Sequence, residues 1–461
     1  MMGHIDHGKT SLLDKIRQTK TWYKEAGGIT QHVSSYQVEV KKDQFITFID
    51  TPGHAAFKKM RQRGGIVTDI VVLVVSASDG VMAQTKECIG LIKEFDIPVI
   101  VAINKIDLAS ASVDKVKGQL AECDLLSEDF GGQLMCLPVS AKSGQGIDKL
   151  IDAILLNAEV LELEDKPKDP LEAYIIEAKV DKNRGAIATA IIKTGTLSVG
   201  QNIYIGQTST KVKAMFDHNN KPIKIALPST PVQILGFTVA PPVGEKIVDI
   251  LDEESTSKIK SPVHVQQTSD PKISVVIKAD TQGTLEALLN SLSGDIKVMS
   301  SSVGPVTDND VFLASASGAQ IFAFNVKSSS AVANLAKSEN VKIVETNIIY
   351  EILEDIEKQV LKILEPTIDE EITGQGQIIA EFKIEKVRIA GIKCTQGVLK
   401  KGDTVHLKRK EVITKDSKIE NIRQGKTDVD QVKVGDECGI TFKPYIDFKI
   451  GDVIISYKKE K

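Results

Sequence analysis

The chain opens with Gly3-His4-Ile5-Asp6-His7-Gly8-Lys9-Thr10-Ser11, in which the spacing Gly-x-x-x-x-Gly-Lys-Thr is that of a phosphate-binding loop. Glycines let successive backbone N–H groups curl round phosphate oxygens. They do so at the start of a helix, whose partial positive charge favours anions. Lys9 is placed to reach the β- and γ-phosphates of a nucleotide, and Thr10 to offer its hydroxyl to Mg²⁺. A glycine-rich loop before any helix could carry the same letters, so the segments that accompany it decide the reading.

Three further segments do. Asp50-Thr-Pro-Gly53-His54 follows an apolar run, Phe45–Asp50. An Asp at a strand end can hold a Mg²⁺-bound water, and Gly53 can turn its N–H to a γ-phosphate. Asn104-Lys105-Ile-Asp107 follows the run Pro98–Asn104. Asp107 can accept from the guanine N1–H and exocyclic amine. Adenine lacks that donor pair, and mispairing leaves a buried carboxylate unsatisfied at a cost of ~1–3 kcal/mol. Ser140-Ala141-Lys142 follows the next run, where the Ala141 N–H can meet the guanine oxygen. Together these segments predict a site for GTP with Mg²⁺.

The elements that must position them are legible in the same stretch. Phe45–Asp50, Ile70–Ala77, Pro98–Asn104 and Leu134–Val139 are dense in Val and Ile, as strands covered on both faces are. Helical patterns at 84–95, 112–126 and 146–158 alternate with them, which predicts a parallel α/β sheet. Ligands bind such sheets at the strand C-terminal ends, where all four segments fall. His4 and His7 have a metal-pair spacing, but no further ligand cluster accompanies them.

The 461 residues allow about three domains. With 42% hydrophobic and 26% charged residues, disorder and coiled-coil arrays are excluded as the main architecture. Lys plus Arg is 58 against 62 for Asp plus Glu, a net −4, which excludes a uniformly basic nucleic-acid binder but not a local basic face. Five scattered cysteines argue for a reducing compartment and against a disulfide framework. No apolar run reaches the ~18 residues of a membrane span.

An acidic, proline-ended stretch closes a first domain, 1–166. Short β-rich runs between turn residues predict a barrel at 167–265. A second α/β domain is expected at 270–346 and a helix at 347–366, with Ile349, Ile352, Ile356, Val360 and Ile363 on one stripe. A second barrel follows at 367–461. The two barrels share a repeat: Gly195-x-Leu197-x-x-Gly200-x-x-Ile203-x-Ile205 recurs as Gly397-x-Leu399-x-x-Gly402-x-x-Val405-x-Leu407. In the second barrel, Lys and Arg at 400, 401, 408, 409, 410, 415, 418, 423 and 426 face acids only at 403, 411, 416 and 420, a candidate basic face.

With these motifs the chain resembles the translational GTPases, and within them most closely the bacterial-type translation initiation factor two family. Gly-His-Ile-Asp-His-Gly-Lys-Thr and Asp-Thr-Pro-Gly-His are characteristic of the superfamily. Lys278-Ala-Asp-Thr-Gln-Gly-Thr-Leu opens the third domain as in that family, and Asp436-Glu437-Cys438-Gly439-Ile440 marks the last barrel. The resemblance implies that Ala26-Gly-Gly-Ile-Thr30 is the first switch segment and Thr30 a second hydroxyl for Mg²⁺. It implies that His54 orients the attacking water, and that Glu437, Cys438 and Gly439 meet the aminoacyl end of initiator formylmethionyl-tRNA. A cytoplasmic, monomeric, membrane-free factor acting on the small and large ribosomal subunits is the expectation. An elongation-type tRNA carrier and a GTPase that regulates a metabolic enzyme are the alternatives. Two positions depart from the family: Ile392 follows Ala390-Gly391 where Cys is usual, and Gln424 stands where Arg is frequent. A third departure is at the start, where almost nothing precedes the phosphate-binding loop. The first strand of the sheet is therefore expected to be missing.

Overall fold

A computed structural model describes residues 1–19, 28–250, 273–364, 370–384, 387–409, 412–425 and 427–459. Ala26 and Gly27 of the expected switch segment, residues 251–272, and Lys410, Glu411 and Lys426 of the basic stretch lie outside these residues. The first domain runs β1 (Met2–Gly3), α1 (Lys9–Arg17), β2 (Ser34–Lys41), β3 (Gln44–Asp50), α2 (Lys58–Val67), β4 (Val71–Ser76), α3 (Ala83–Glu94), β5 (Val99–Asn104), α4 (Val113–Ala121), β6 (Met135–Pro138) and α5 (Ile147–Val160).

Strands apolar on both faces need cover on both, and they obtain it. β1, β4, β5 and β6 form a parallel sheet in that order. On one face Val72, Val74, Ile100 and Ala102 pack with Leu12 and Leu13 of α1 and Leu150 and Ile154 of α5. On the other, Val71, Leu73, Val75 and Val101 pack with Cys88, Ile89 and Ile92 of α3 and Val116 and Leu120 of α4.

Two expectations need correction here. The first strand is present, though short: Met2 and Gly3 pair in parallel with Leu73 and Val74. The run Phe45–Asp50 does not join the parallel ladder. As β3 it pairs antiparallel with β2, a strand the sequence reading passed over. Its residues alternate between wet and buried sides, a period-2 pattern diluted by Ser, Gln, Glu and Lys. The hairpin meets the sheet through Met1, whose ammonium donates to the Ile49 carbonyl at 2.9 Å and whose carbonyl accepts from the Thr51 hydroxyl at 2.8 Å.

The next strands form an antiparallel sheet wrapped round one core of Ala, Ile, Leu and Val side chains that includes Ile175, Ala188, Ile203, Val232 and Ile247. Thr208–Lys211 stands at one end of the strand order, and Ala214–Phe216 lies beside Pro231–Phe237 near the other. Two residues of chain separate them, so the sheet must curl back on itself. The Lys213 N–H closes the seam on the Leu235 carbonyl at 2.8 Å. The α/β domain carries four parallel strands in the order Ile296–Val303, Ile273–Ala279, Gln320–Phe324, Ile343–Thr346.

The chain divides into two compact units, Met1–Ile356 and Glu357–Lys461, and the boundary falls inside the helix Ile349–Leu364. On the expected stripe Ile349, Ile352 and Ile356 are buried, whereas Ile363 is half exposed. In the second unit six strands close a ring: Glu370–Ile384, Val453–Lys459, Thr404–Arg409, Val412–Gln424, Glu437–Lys443 and Val387–Lys400, the last pairing with the first. The repeat is visible in each barrel taken alone. Leu197, Ile203 and Ile205 are core residues of one, and Leu399, Val405 and Leu407 of the other. Gly195 and Gly397 both adopt positive φ, 73° and 67°, where a side chain would strike backbone.

Candidate nucleotide-binding site

The four expected segments converge. One cavity of about 1140 Å³ is lined by Ile5, Asp6, Gly8, Lys9, Thr10 and Ser11 from the first loop, and by Gly53 and His54 from the second. Asn104, Lys105, Asp107, Ala141 and Lys142 line its far end, and Thr30 joins them. Drug-sized ligands occupy roughly 300–1,000 Å³, so a nucleotide with its metal fits.

Gly8 caps α1 in the left-handed region (φ 86°, ψ 30°), which turns the loop's N–H groups inward. The Lys9 ammonium, almost fully buried, folds onto the Gly3 carbonyl at 3.0 Å and the His4 carbonyl at 2.6 Å. Burial lowers its pKa, opposed by Asp50. Among the described residues its hydrogen bonds go to two neutral carbonyls, which leaves a buried cation poised for an anion. Gly53 comes so close that a methyl there would lie 2.5 Å from the Lys9 nitrogen. His4 and His7 pack edge to face, with ring centroids 5.0 Å apart. Burial lowers the His7 pKa to about 4, and its Nδ1 accepts from the Ser76 N–H at 3.2 Å, behind the loop.

Thr10, Thr30 and Asp50 meet at one corner. The two threonine hydroxyls are 2.6 Å apart, and Thr10 donates to Asp50 Oδ2 at 3.1 Å. Among the described residues Asp50 Oδ1 is buried without a hydrogen-bond partner, and burial raises the carboxyl pKa, opposed by Lys9. A buried oxygen left unpaired beside two hydroxyls is the donor set a hard, oxygen-seeking cation completes, so these residues fit Mg²⁺.

At the other end Asn104 ties the loops together. Its Nδ2 donates to the His7 carbonyl at 2.9 Å, and its Oδ1 accepts from the Ala141 N–H at 3.0 Å. Asp107 accepts from the Ser140 hydroxyl at 2.7 Å, which lowers its pKa and keeps the carboxylate ionised and oriented. Ser140 thus acts behind Asp107, not on the cavity wall.

His54 Nδ1 accepts from the Ala56 N–H at 3.2 Å, so the neutral ring carries its proton on Nε2 and presents a donor. Burial and then Arg61 lower its pKa. Sequence reasoning missed what holds this loop. Arg61 is fully buried; its Nη1 donates to the Pro52 carbonyl at 2.9 Å and to the His54 carbonyl, while Nη2 pairs with Glu87 at 2.7 Å. It also missed Gln31, His32 and Tyr350, which link the site to the α/β domain and to the start of the helix that follows it. It missed Glu177 as well. That buried carboxylate of the first barrel accepts from the Gly283 N–H at 3.1 Å and leaves Oε2 unpaired. Burial raises its pKa to about 7. None of these has a local signal: the partners of Gln31, His32, Tyr350 and Glu177 named here lie more than a hundred residues away, and Arg61 reads in sequence as a surface charge.

In the second unit the expected tRNA segment divides between two faces. Glu437 is exposed and Gly439 shares its outer face, but Cys438 is a core residue, 6% exposed, and burial raises its pKa to about 12. Strand alternation sends it inward. Gly439 pairs directly with Gly391 and, on its other side, with Arg423. Phe382, over half exposed, and Ile389 lie over these two bare glycines. The basic face is partly neutralised, since Arg409 pairs with Asp452 at 2.7 Å and Arg423 with Asp428 at 2.5 Å.

Three family models match successive parts of the chain. The family "Elongation factor Tu GTP binding domain" matches residues 1–159, "Elongation factor G domain 2" residues 170–250, and "Translation-initiation factor 2" residues 249–357. The "Translation initiation factor IF-2" of Aquifex aeolicus is 41% identical over 99% of this chain, which spans 60% of that protein's length. The protein of the same name from Caldanaerobacter subterraneus subsp. tengcongensis is 43% identical over 100% of this chain and 69% of its own. Among solved structures, "GDP-bound aIF5B from Aeropyrum pernix" is 27% identical, with a TM-score of 0.48 over 99% of this chain and 90% of that one. On identity of this extent, the chain belongs to the translation initiation factor IF-2 family.

Proposed function

We propose that this chain binds GTP with Mg²⁺, promotes binding of initiator formylmethionyl-tRNA to the small ribosomal subunit and subunit joining, and hydrolyses GTP on the ribosome. The observation that carries the nucleotide part is the convergence on one cavity of Lys9, of Thr10 and Thr30 with Asp50 buried beside them, and of Asp107 with Asn104 and Ala141. Lys9 exchanges two carbonyls for β- and γ-phosphate oxygens. The loop N–H groups from Gly3 to Ser11 cradle the phosphates, Gly53 offers its N–H to the γ-phosphate, and Asp107 selects guanine. Lys105 and Lys142 flank the base. Thr10, Thr30 and Asp50 would hold Mg²⁺, which when bound would supply charge neutralisation on the phosphates. His54 donates its Nε2–H to orient water, and Arg61 fixes the loop from which it does so.

In the second unit the bare Gly391–Gly439 strip, with Phe382, Ile389, Arg423 and Glu437 around it, fits a blocked aminoacyl end better than an inward Cys438 does. A formylated methionine has no ammonium, so apolar cover suits it. The exposed lysines of this unit, among them Lys400 and Lys401, suit the tRNA backbone, with strong salt dependence.

The test is retention of formylmethionyl-tRNA on small subunits with a non-hydrolysable GTP analogue, beside unformylated methionyl-tRNA. GTP-dependent preference for the formylated form supports the reading. Equal retention of both, or no association with ribosomes, refutes it and favours the elongation-type or enzyme-regulating alternative.

A further inference from the structure

The first turn of the helix Ile349–Leu364 touches both segments that would sense a γ-phosphate. Gln31 follows Thr30, which stands at the Thr10–Asp50 corner. The Gln31 side chain is 5% exposed; its Oε1 accepts from the Ile349 N–H at 3.0 Å and its Nε2 donates to the Asn347 carbonyl at 2.8 Å. It therefore caps a helix that begins over three hundred residues later. His32 Nε2 lies 2.8 Å from Asp280 Oδ2, so the next residue is also held by the α/β domain. On the other side Tyr350 meets the His54 ring edge-on, with centroids 4.3 Å apart at 74°. Thr30 and Tyr350 line the nucleotide cavity, whereas Gln31 does not.

A contact made while Thr30 stands at the metal corner favours the state that a triphosphate with its metal also favours. Linkage makes the effect mutual: the triphosphate tightens the contact as much as the contact tightens triphosphate binding. We infer that Gln31, acting through its cap on the helix start, determines preference for the triphosphate over the diphosphate, with Tyr350 coupling the same helix turn to His54. The inference rests on the guanine-nucleotide reading of the site. It makes the α/β domain part of nucleotide discrimination, although Gln31 touches no nucleotide.

A purely structural Gln31 would weaken both nucleotides alike, so the ratio of affinities separates the two roles. The experiment titrates the full chain, with Mg²⁺, against a non-hydrolysable GTP analogue and against GDP. Hydrogen exchange of the amides from Ile349 to Ile352 is followed in each complex. In the wild-type chain the analogue protects these amides more than GDP does. Gln31→Ala removes both cap bonds, so it should lower analogue affinity about tenfold relative to GDP and erase the difference in protection. Gln31→Glu keeps the acceptor for Ile349 but loses the donor to Asn347, and should fall between. Tyr350→Ala should shift the ratio in the same direction, while Tyr350→Phe, which keeps the ring, should not. Equal losses for both nucleotides, or an unchanged ratio in Gln31→Ala, overturn the inference. A wild-type chain that binds neither nucleotide fails the underlying site reading before any variant is tested.

Discussion

A single methyl group at Gly8 should disable the nucleotide site. Gly8 holds φ 86° and ψ 30°, a left-handed conformation that costs an L-residue roughly 1–2 kcal/mol. The added Cβ would also lie 2.4 Å from Asn104 Nδ2, far inside any real contact. That amide group cannot move without releasing the His7 carbonyl and the Ala141 N–H, bonds of 2.9 and 3.0 Å worth ~1 kcal/mol each. Together these come to about 3 kcal/mol, or about two orders of magnitude in nucleotide affinity. The assay is titration of a fluorescent guanine nucleotide with the full chain, with thermal melting as a check on folding. Asn104→Ala breaks the same two bonds, about 2 kcal/mol, without the backbone strain and should lose less, about thirtyfold. If Gly8→Ala binds as the wild type does, or better than Asn104→Ala, the loop is not held as argued.

His54→Ala should keep guanine-nucleotide affinity within a few fold yet lower ribosome-stimulated hydrolysis by roughly 10²–10⁴-fold; normal turnover on ribosomes would exclude the water-orienting role. Glu177 gives a pH signature. Its folded pKa of about 7 stands above the ordinary 4.5, so the fold favours the protonated form. The stability this lends is full below pH 4.5 and is lost as pH rises through 7. Glu177→Gln, which keeps an acceptor for the Gly283 N–H, should therefore stabilise the chain most above pH 7. The gain is at most about 3 kcal/mol, shrinking towards pH 4.5. Thermal melts across that range would show it, and a gain independent of pH would refute it.

What the sequence disclosed followed from local physics. Phosphate loops are made by short stretches whose glycines and hydroxyls must lie at fixed spacing, so Gly3 to Ser11 could be read directly. Val71–Ser76 and Val99–Asn104 are apolar on both faces and could only be interior strands. The barrel repeat was legible because its glycines need positive φ and its apolar residues alternate. Ser34–Lys41 escaped because its wet face breaks the apolar run, although it pairs with most of β3. Cys438 was placed on the ligand face from resemblance, whereas alternation in Glu437–Lys443 sends it into the core. Gln31 and Tyr350 lay beyond sequence reasoning because their partners are some three hundred residues away, and Arg61 because its burial has no local signal. A fully buried arginine reads in sequence as one more surface charge on α2.

The central claim is a guanine-selective site read by Asp107, and base exchange tests it most directly. Asp107→Asn replaces an acceptor pair with one acceptor and one donor, which suits xanthine, whose carbonyl stands where guanine has its amine. The measurement is affinity of the wild-type and Asp107→Asn chains for GTP and xanthosine triphosphate, with Mg²⁺. The account predicts that GTP binding weakens, that xanthosine triphosphate binding strengthens, and that the preference inverts. An Asp107→Asn chain that still prefers GTP as the wild type does would contradict it.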